Sequence, residues 1–120
     1  MKIINHLKRW RHKLRVDKRD IRYLYQRWTR GWDDSEMWSL DHSLAKLILP
    51  RLKRFQEVRG GYPANITDQE WEDAINEMVW TFQWYADGKQ WGCEPTQAQD
   101  EKRADKGLKL FAKYYGHLWC

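Results

Sequence analysis

Between Ile3 and Trp28 the apolar residues alternate at spacings of four and three. They are Ile3, Leu7, Trp10, Leu14, Ile21, Leu24 and Trp28, and Asp17 is the one polar residue in the row. Leu7, Leu14, Ile21 and Trp28 are each seven apart. Such a row is the a/d seam of a heptad helix, because a mean spacing of 3.5 keeps one narrow stripe on one face. The helix would run about 25 residues, roughly 38 Å at 1.5 Å per residue. Lys and Arg fill its other faces. Asp17 either sets the register or breaks the helix locally, and Gly31 ends it.

The rest of the chain also reads as helix. Asp33 and Glu36 stand three apart just ahead of Met37, which fits a capping box. Apolar residues then recur at Met37, Leu40, Leu44, Leu47, Ile48, Leu52 and Phe55. Pro50 either kinks this helix or separates two helices in line. GGYPANITDQE, residues 60–70, is a loop that ends in a second capping box, Thr67 with Glu70. The third helix carries Trp71, Ile75, Met78, Phe82 and Tyr85 on one stripe and Trp80 and Trp84 on another, so it is expected to be central or to offer a face to a partner. Residues 86–97 are a loop. The last helix covers about 98–115, with Ala104, Leu108, Phe111 and Tyr115 at helical spacing, and Gly116 ends it. No strand or internal repeat is evident. The expected fold is all-α, a bundle of about four helices with a long basic amphipathic N-terminal helix. Residues 1–30 form a basic arm and 31–120 the body.

Charge follows the same division. Residues 1–30 carry 11 Lys and Arg against two acids, a balance of +9. Residues 31–120 carry 11 against 15, a balance of −4. Such asymmetry points to an anionic partner, or to neutralisation of arm by body within or between molecules. At 120 residues and 15% aromatic, the composition is that of one globular domain rather than a disordered chain. No apolar run has the roughly 18 residues of a membrane span. The basic start MKIINHLKRWRHK has no apolar h-region after it, so no secretory signal is expected. Two cysteines, Cys93 and Cys120, make no disulfide framework, and a reducing cytoplasm is the simplest compartment.

Nine tryptophans need seats. Trp10, Trp28 and Trp71 lie on apolar stripes and are expected in the core. Trp38 lies beside the Met37–Leu44 stripe, in a bundle corner. Trp32 sits next to Gly31, at the junction of arm and body. Trp80, Trp84 and Trp91 have no place on a one-sided pattern. With Trp32 they are the candidate aromatic contact surface, since Trp is enriched at binding hot spots, although core packing is the commoner role.

Catalytic signatures are missing. The only adjacent glycines are Gly60 and Gly61, outside any phosphate-loop pattern, and there is no G-x-S-x-G. His117 and Cys120 are three apart, but no second close pair accompanies them, so no metal site is expected. His6 and His12 read as solvated residues of the arm. Asp33, Asp34, Glu36 and Asp41 fit helix-start electrostatics better than a metal or acid–base site. Asp41 and Arg51 lie in apolar stretches and would form a buried pair if the bend at Pro50 is mild. No catalytic residue and no cofactor is assigned. The clearest binding feature is the set Lys8, Arg9, Arg11, Lys13, Arg15, Lys18, Arg19 and Arg22, which wraps several faces of one helix. It suits phosphates through counterion release, with Tyr23 and Tyr25 available to stack on bases.

The run YQRWTRGWDDSEMWSLDHSLAKLILPRLKRFQE, then GYPANIT, EWEDAINEMVWTF and GLKLFAKYYGHLW, resembles a group of small tailed-bacteriophage proteins with no established activity. The resemblance covers roughly residues 24–119 apart from the loop near 86–100, and its motifs are specific as a set and weak singly. It implies a phage gene product in the cytoplasm of a bacterial host. Small accessory phage proteins often bind and disable a host or immune component, which is an analogy of setting rather than of mechanism.

The leading expectation is therefore a binding protein that inhibits a host or anti-phage immune protein, and not an enzyme. The alternative is a nucleic-acid-binding protein that grips DNA or RNA with the arm. A structural component that forms homo-oligomers through residues 3–28 comes next, and a membrane surface ranks last among the partners.

Overall fold

A computed structural model describes residues 18–120. The fold is all-α. Four helices are present among the described residues: α1 Lys18–Arg30, α2 Leu40–Val58, α3 Asp68–Ala86 and α4 Gln97–Tyr114. Short 3-10 turns occupy Asp34–Ser39, Lys89–Trp91 and Tyr115–His117. The chain divides into two compact units, one ending at Trp38 and the other running Ser39–Cys120. Residues 31–38 thus group with α1 rather than with the body. The expected seam from Ile3 to Asp17 lies outside the described residues.

In the body, α3 packs against both α2 and α4. Its sequence explains the central place: Trp71, Ala74, Ile75, Met78, Thr81, Phe82 and Trp84 are all buried, on an arc too wide for one neighbour. The Thr67–Glu70 capping box forms as expected, with Glu70 N–H donating to Thr67 Oγ1 at 3.1 Å and Thr67 N–H to Glu70 at 3.4 Å. Edge-on aromatic pairs lock the core: Trp71 with Tyr114 at 5.2 Å, and Phe82 with Phe111 at 5.0 Å between ring centres. Arg59, just past α2, spans to the start of α3 through Asp68 at 2.8 Å and Glu72 at 2.7 Å. Those bonds raise the Arg59 pKa, Asp68 first and Glu72 second.

Three expectations about packing are corrected. The first is the buried face of α2. Leu40, Leu44 and Leu47 are exposed, while Ala45, Leu49 and Leu52 are buried with Ile48 and Phe55 half-buried. The buried face lies about 100° round the helix from the leucine row. Pro50 lies within one continuous helix, and Arg51 donates to the Leu47 carbonyl at 2.7 Å in the turn that the proline disturbs. Secondly, Asp41 and Arg51 are both exposed and form no buried pair; Gln90 donates to Asp41 at 3.4 Å. Thirdly, on α4 it is Tyr114 that enters the core and Tyr115 that is exposed. Gly107 is also buried there: a Cβ on it would stand 1.8 Å from Thr81 Oγ1 and 2.7 Å from Thr81 Cβ. The glycine sets how closely α3 and α4 approach.

Candidate docking surface

The N-terminal unit inverts the usual arrangement of an amphipathic helix. Gly31 closes α1 in the left-handed conformation at φ 84°, and its N–H donates to the Arg27 carbonyl at 2.8 Å, a one-bond αL stop. The chain then folds back on the charged face of α1. Gln26 and Asp34 exchange two hydrogen bonds, side-chain N–H to carboxylate at 2.8 Å and Asp34 N–H to Gln26 Oε1 at 2.9 Å. Arg22 and Arg30 hold the same Asp34 carboxylate at 2.9 and 2.6 Å. Arg27 reaches Asp33 at 3.2 Å. Arg27 and Arg30 sit in the last turn, where cations suit the helix dipole and offset the two acids that follow.

Asp33 is buried, and its carboxylate accepts from the Ser35 hydroxyl and from Ser35 N–H at 2.8 Å. The Ser35 hydroxyl is the main reason that the Asp33 carboxyl is held below its usual pKa; the Ser35 N–H and the charge of Arg27 act the same way, against burial. Asp34 is likewise lowered, chiefly by the hydrogen bonds from Gln26 and Arg30. Glu36 reaches back to Asp33 N–H at 2.7 Å, so half of the expected capping box forms, but it opens a 3-10 turn and not an α-helix. The acids expected to mark a helix start also tie down three arginines of the helix before them.

With its charged back occupied, α1 turns its apolar face outward. Ile21 and Leu24 are each 57% exposed and Trp28 is 86% exposed, and α1 buries no residue. Tyr25 is exposed beside them. Trp28, expected in the core, is the most exposed tryptophan among the described residues. Trp38 is exposed too, its ring edge-on to Tyr23 at 6.1 Å.

The expected aromatic surface does not assemble as one patch. Trp84 is buried at 5% exposure, so its ring is not available to a partner, and it stacks on Trp80 at 6.4 Å. Trp80 is half-buried beneath Arg103, whose guanidinium lies 4.1 Å from the ring centre while Glu77 holds it at 3.0 Å. That Arg103 bond is also the main cause of the lowered Glu77 pKa. Trp91 is exposed and leans on His42 at 5.4 Å. Trp32 is exposed, in the other unit, with Arg30 stacked 3.7 Å above it. Of the arm cations, Lys18, Arg19 and Arg22 are exposed on α1, with Arg22 paired to Asp34. Lys8, Arg9, Arg11, Lys13 and Arg15 lie outside the described residues.

Sequence reasoning missed two other surfaces. One is the leucine row Leu40, Leu44 and Leu47 of α2. The other is an open cavity of about 290 Å³ where the loop Gly60–Pro63 meets His117, Trp119 and Cys120. The GYP and HLWC segments each stood out in the sequence, but nothing in the helical pattern predicts that they meet. Among the described residues no group of three or more His, Cys, Asp and Glu side chains could hold a metal ion. No helix among them is long and apolar enough to cross a membrane. Comparison with known protein families, with curated proteins and with solved structures finds no match in any of the three.

Proposed function

We propose that the chain is a small phage-encoded binding protein that docks on a host or anti-phage immune protein in the bacterial cytoplasm and inhibits it. The outward seam of Ile21, Leu24 and Trp28 carries this reading. Fully burying side chains of this size is worth about 1.5–3 kcal/mol each, and α1 leaves that gain unused. An exposed tryptophan between aliphatic neighbours has the character of an interface hot spot. The phage setting rests on the sequence resemblance, and inhibition rests on analogy with other small phage proteins.

The nucleic-acid reading keeps its support in the +9 balance of residues 1–30, 11 Lys and Arg against two acids. It is weakened in the described part of the arm, where Arg22, Arg27 and Arg30 are already engaged by carboxylates.

The test is affinity capture from a bacterial lysate treated with nuclease, using the intact chain and a Leu24→Ser/Trp28→Ser variant as bait. The expected result is a protein retained by the intact chain, lost with the variant, and whose activity falls when the purified chain is added. Retention of nucleic acid in an untreated lysate, with steep salt dependence and no dependence on Leu24 and Trp28, would overturn it.

A further inference from the structure

Going beyond the α1 seam, we propose that α4 carries a second contact surface, a row of lysines that seats an acidic face of a protein. Lys102, Lys106, Lys109 and Lys113 follow one another at spacings of four, three and four, and all are exposed. On a helix this spacing puts them within an arc of about 60° and over a length of about 16 Å. The arc lies on the far side of α4 from its buried residues Ala104, Gly107 and Tyr114, and no carboxylate falls inside it. None of the four is in an ion pair or a side-chain hydrogen bond among the described residues; Lys113 lies 5.2 Å from the Tyr114 ring. By contrast, Arg51 donates to the Leu47 carbonyl and Lys53 to Gln83, and Arg54, Arg59 and Arg103 are paired with carboxylates.

An outward helix face needs polar residues, but not of one sign. Glu and Lys three or four apart support a helix, and like charges at those spacings oppose it. Each lysine of the row has another as its next neighbour. Only Lys113 stands in the last turn, where the helix dipole favours a cation. The row is therefore unfavourable in the chain alone and is relieved when an anionic surface covers it. Its shoulder selects the kind of surface. Glu101 and Asp105 run beside the row, exposed, about 60–100° round the helix from Lys102. Duplex DNA carries a negative charge about every 1.7 Å along its axis, and an anionic bilayer presents one sign over a whole plane. Either would press phosphates against Glu101 and Asp105. A protein face carries both signs, so it can set carboxylates over the lysines and a cation over the shoulder. The row also lacks arginine, whose fork suits phosphate, and an aromatic ring on which a base could stack.

An NMR titration of the full chain tests the inference. The probe is a synthetic Ala-rich helical peptide with Glu at the same spacings of four, three and four and Lys along one shoulder. Its analogue carries Gln in place of Glu. Duplex DNA and phosphatidylglycerol vesicles complete the set. The Glu peptide is expected to shift the backbone and side-chain signals of Lys102, Lys106, Lys109 and Lys113, and the Gln analogue to leave them in place. Changing all four lysines to Gln should weaken the Glu peptide about tenfold, the combined effect of four exposed ion pairs. A charge-matched control, Lys46→Gln/Arg51→Gln/Lys53→Gln/Arg54→Gln on α2, should change binding by less than about twofold. Both variants keep the N-terminal arm, so whatever the arm contributes is common to them. Thermal unfolding of each shows that the body is intact, and the shifts of the unaltered chain locate the contact even if a variant fails to fold. Equal loss in the two variants would show an effect of net charge alone and overturns the proposal. So do shifts that miss α4, and row-dependent binding that is tighter to DNA or to vesicles than to the Glu peptide. None of these outcomes touches the docking reading, which stands or falls with Leu24 and Trp28.

Discussion

The body and the N-terminal unit solve opposite problems. In Ser39–Cys120, α3 buries Trp71, Ile75 and Met78 almost completely and leaves its acids outside. Among the described residues of the unit that ends at Trp38, the buried side chain is Asp33, and the apolar row Ile21, Leu24 and Trp28 is exposed. The first is held by the hydrophobic effect, whose gain grows with the apolar area removed from water. The second is held by hydrogen bonds and ion pairs that are partly exposed, and such contacts contribute little each. A region built the second way leaves its apolar row exposed. The contrast separates apolar residues that the fold buries from apolar residues that it leaves exposed.

The body should break hardest at its centre. Trp71→Ala removes a 1% exposed ring that meets both Phe55 and Tyr114, and is expected to cost about 3–5 kcal/mol in urea unfolding. Gly107→Ala should come next, at about 1–3 kcal/mol, although alanine favours a helix more than glycine does. The added Cβ has nowhere to go, because Thr81 Oγ1 stands 1.8 Å from its position. Thr81→Ala in the same chain should recover part of the loss, and a double-mutant cycle measures the coupling. Strictly additive costs would mean that this close approach does not limit the packing of α3 on α4.

These two sites also mark what could be read from the sequence. The helical fold, the α3 cap at Thr67–Glu70, the central place of α3 and the burial of Trp71 all follow from periodicity and cap chemistry. Gly107 does not, since a glycine inside a helical pattern reads as a weak helix former until the opposing Thr81 is known. The face of α2 was misread for a related reason. Its apolar residues cover two arcs, and the one that holds Leu40, Leu44 and Leu47 is the exposed one. Periodicity shows that a helix has an apolar face and is silent about what covers it. Trp28 makes the same point: its place on the seam was plain, and its exposure depends on the chain reversing at Gly31 to seat Asp33 and Asp34 on the other side. The one available signal was two acids following a helix whose last turn holds Arg27 and Arg30.

Acid should sharpen the comparison. The folded-state pKa values of Asp33 and Asp34 are lowered, so their contribution is fully present above the ordinary carboxylate value of about 3.9 and is lost as pH falls through the folded values. Below about pH 4 the N-terminal unit should therefore loosen while the apolar core of the body persists. Indole N–H signals of Trp32 and Trp38 in NMR spectra should shift before that of buried Trp71. Glu77 is lowered as well, so the Arg103 contact over Trp80 weakens in the same direction. A single coincident transition of all these signals would mean that the two units do not differ in what holds them.

The smallest expected effect on stability is the most telling for function. Trp28→Ser changes a side chain that is 86% exposed, so thermal unfolding of the isolated chain should move by no more than about 0.5 kcal/mol. The same size of residue at Trp71 is expected to cost several-fold more, and the ratio of the two is the comparison in its simplest form. A large loss at Trp28 would show that the ring is already buried in solution, by a second copy or by another part of the chain. Sedimentation at rising protein concentration tells these apart, because only self-association makes the effect depend on concentration. A negligible loss together with weakened partner binding would leave one role for the ring: it is held in water until a partner covers it.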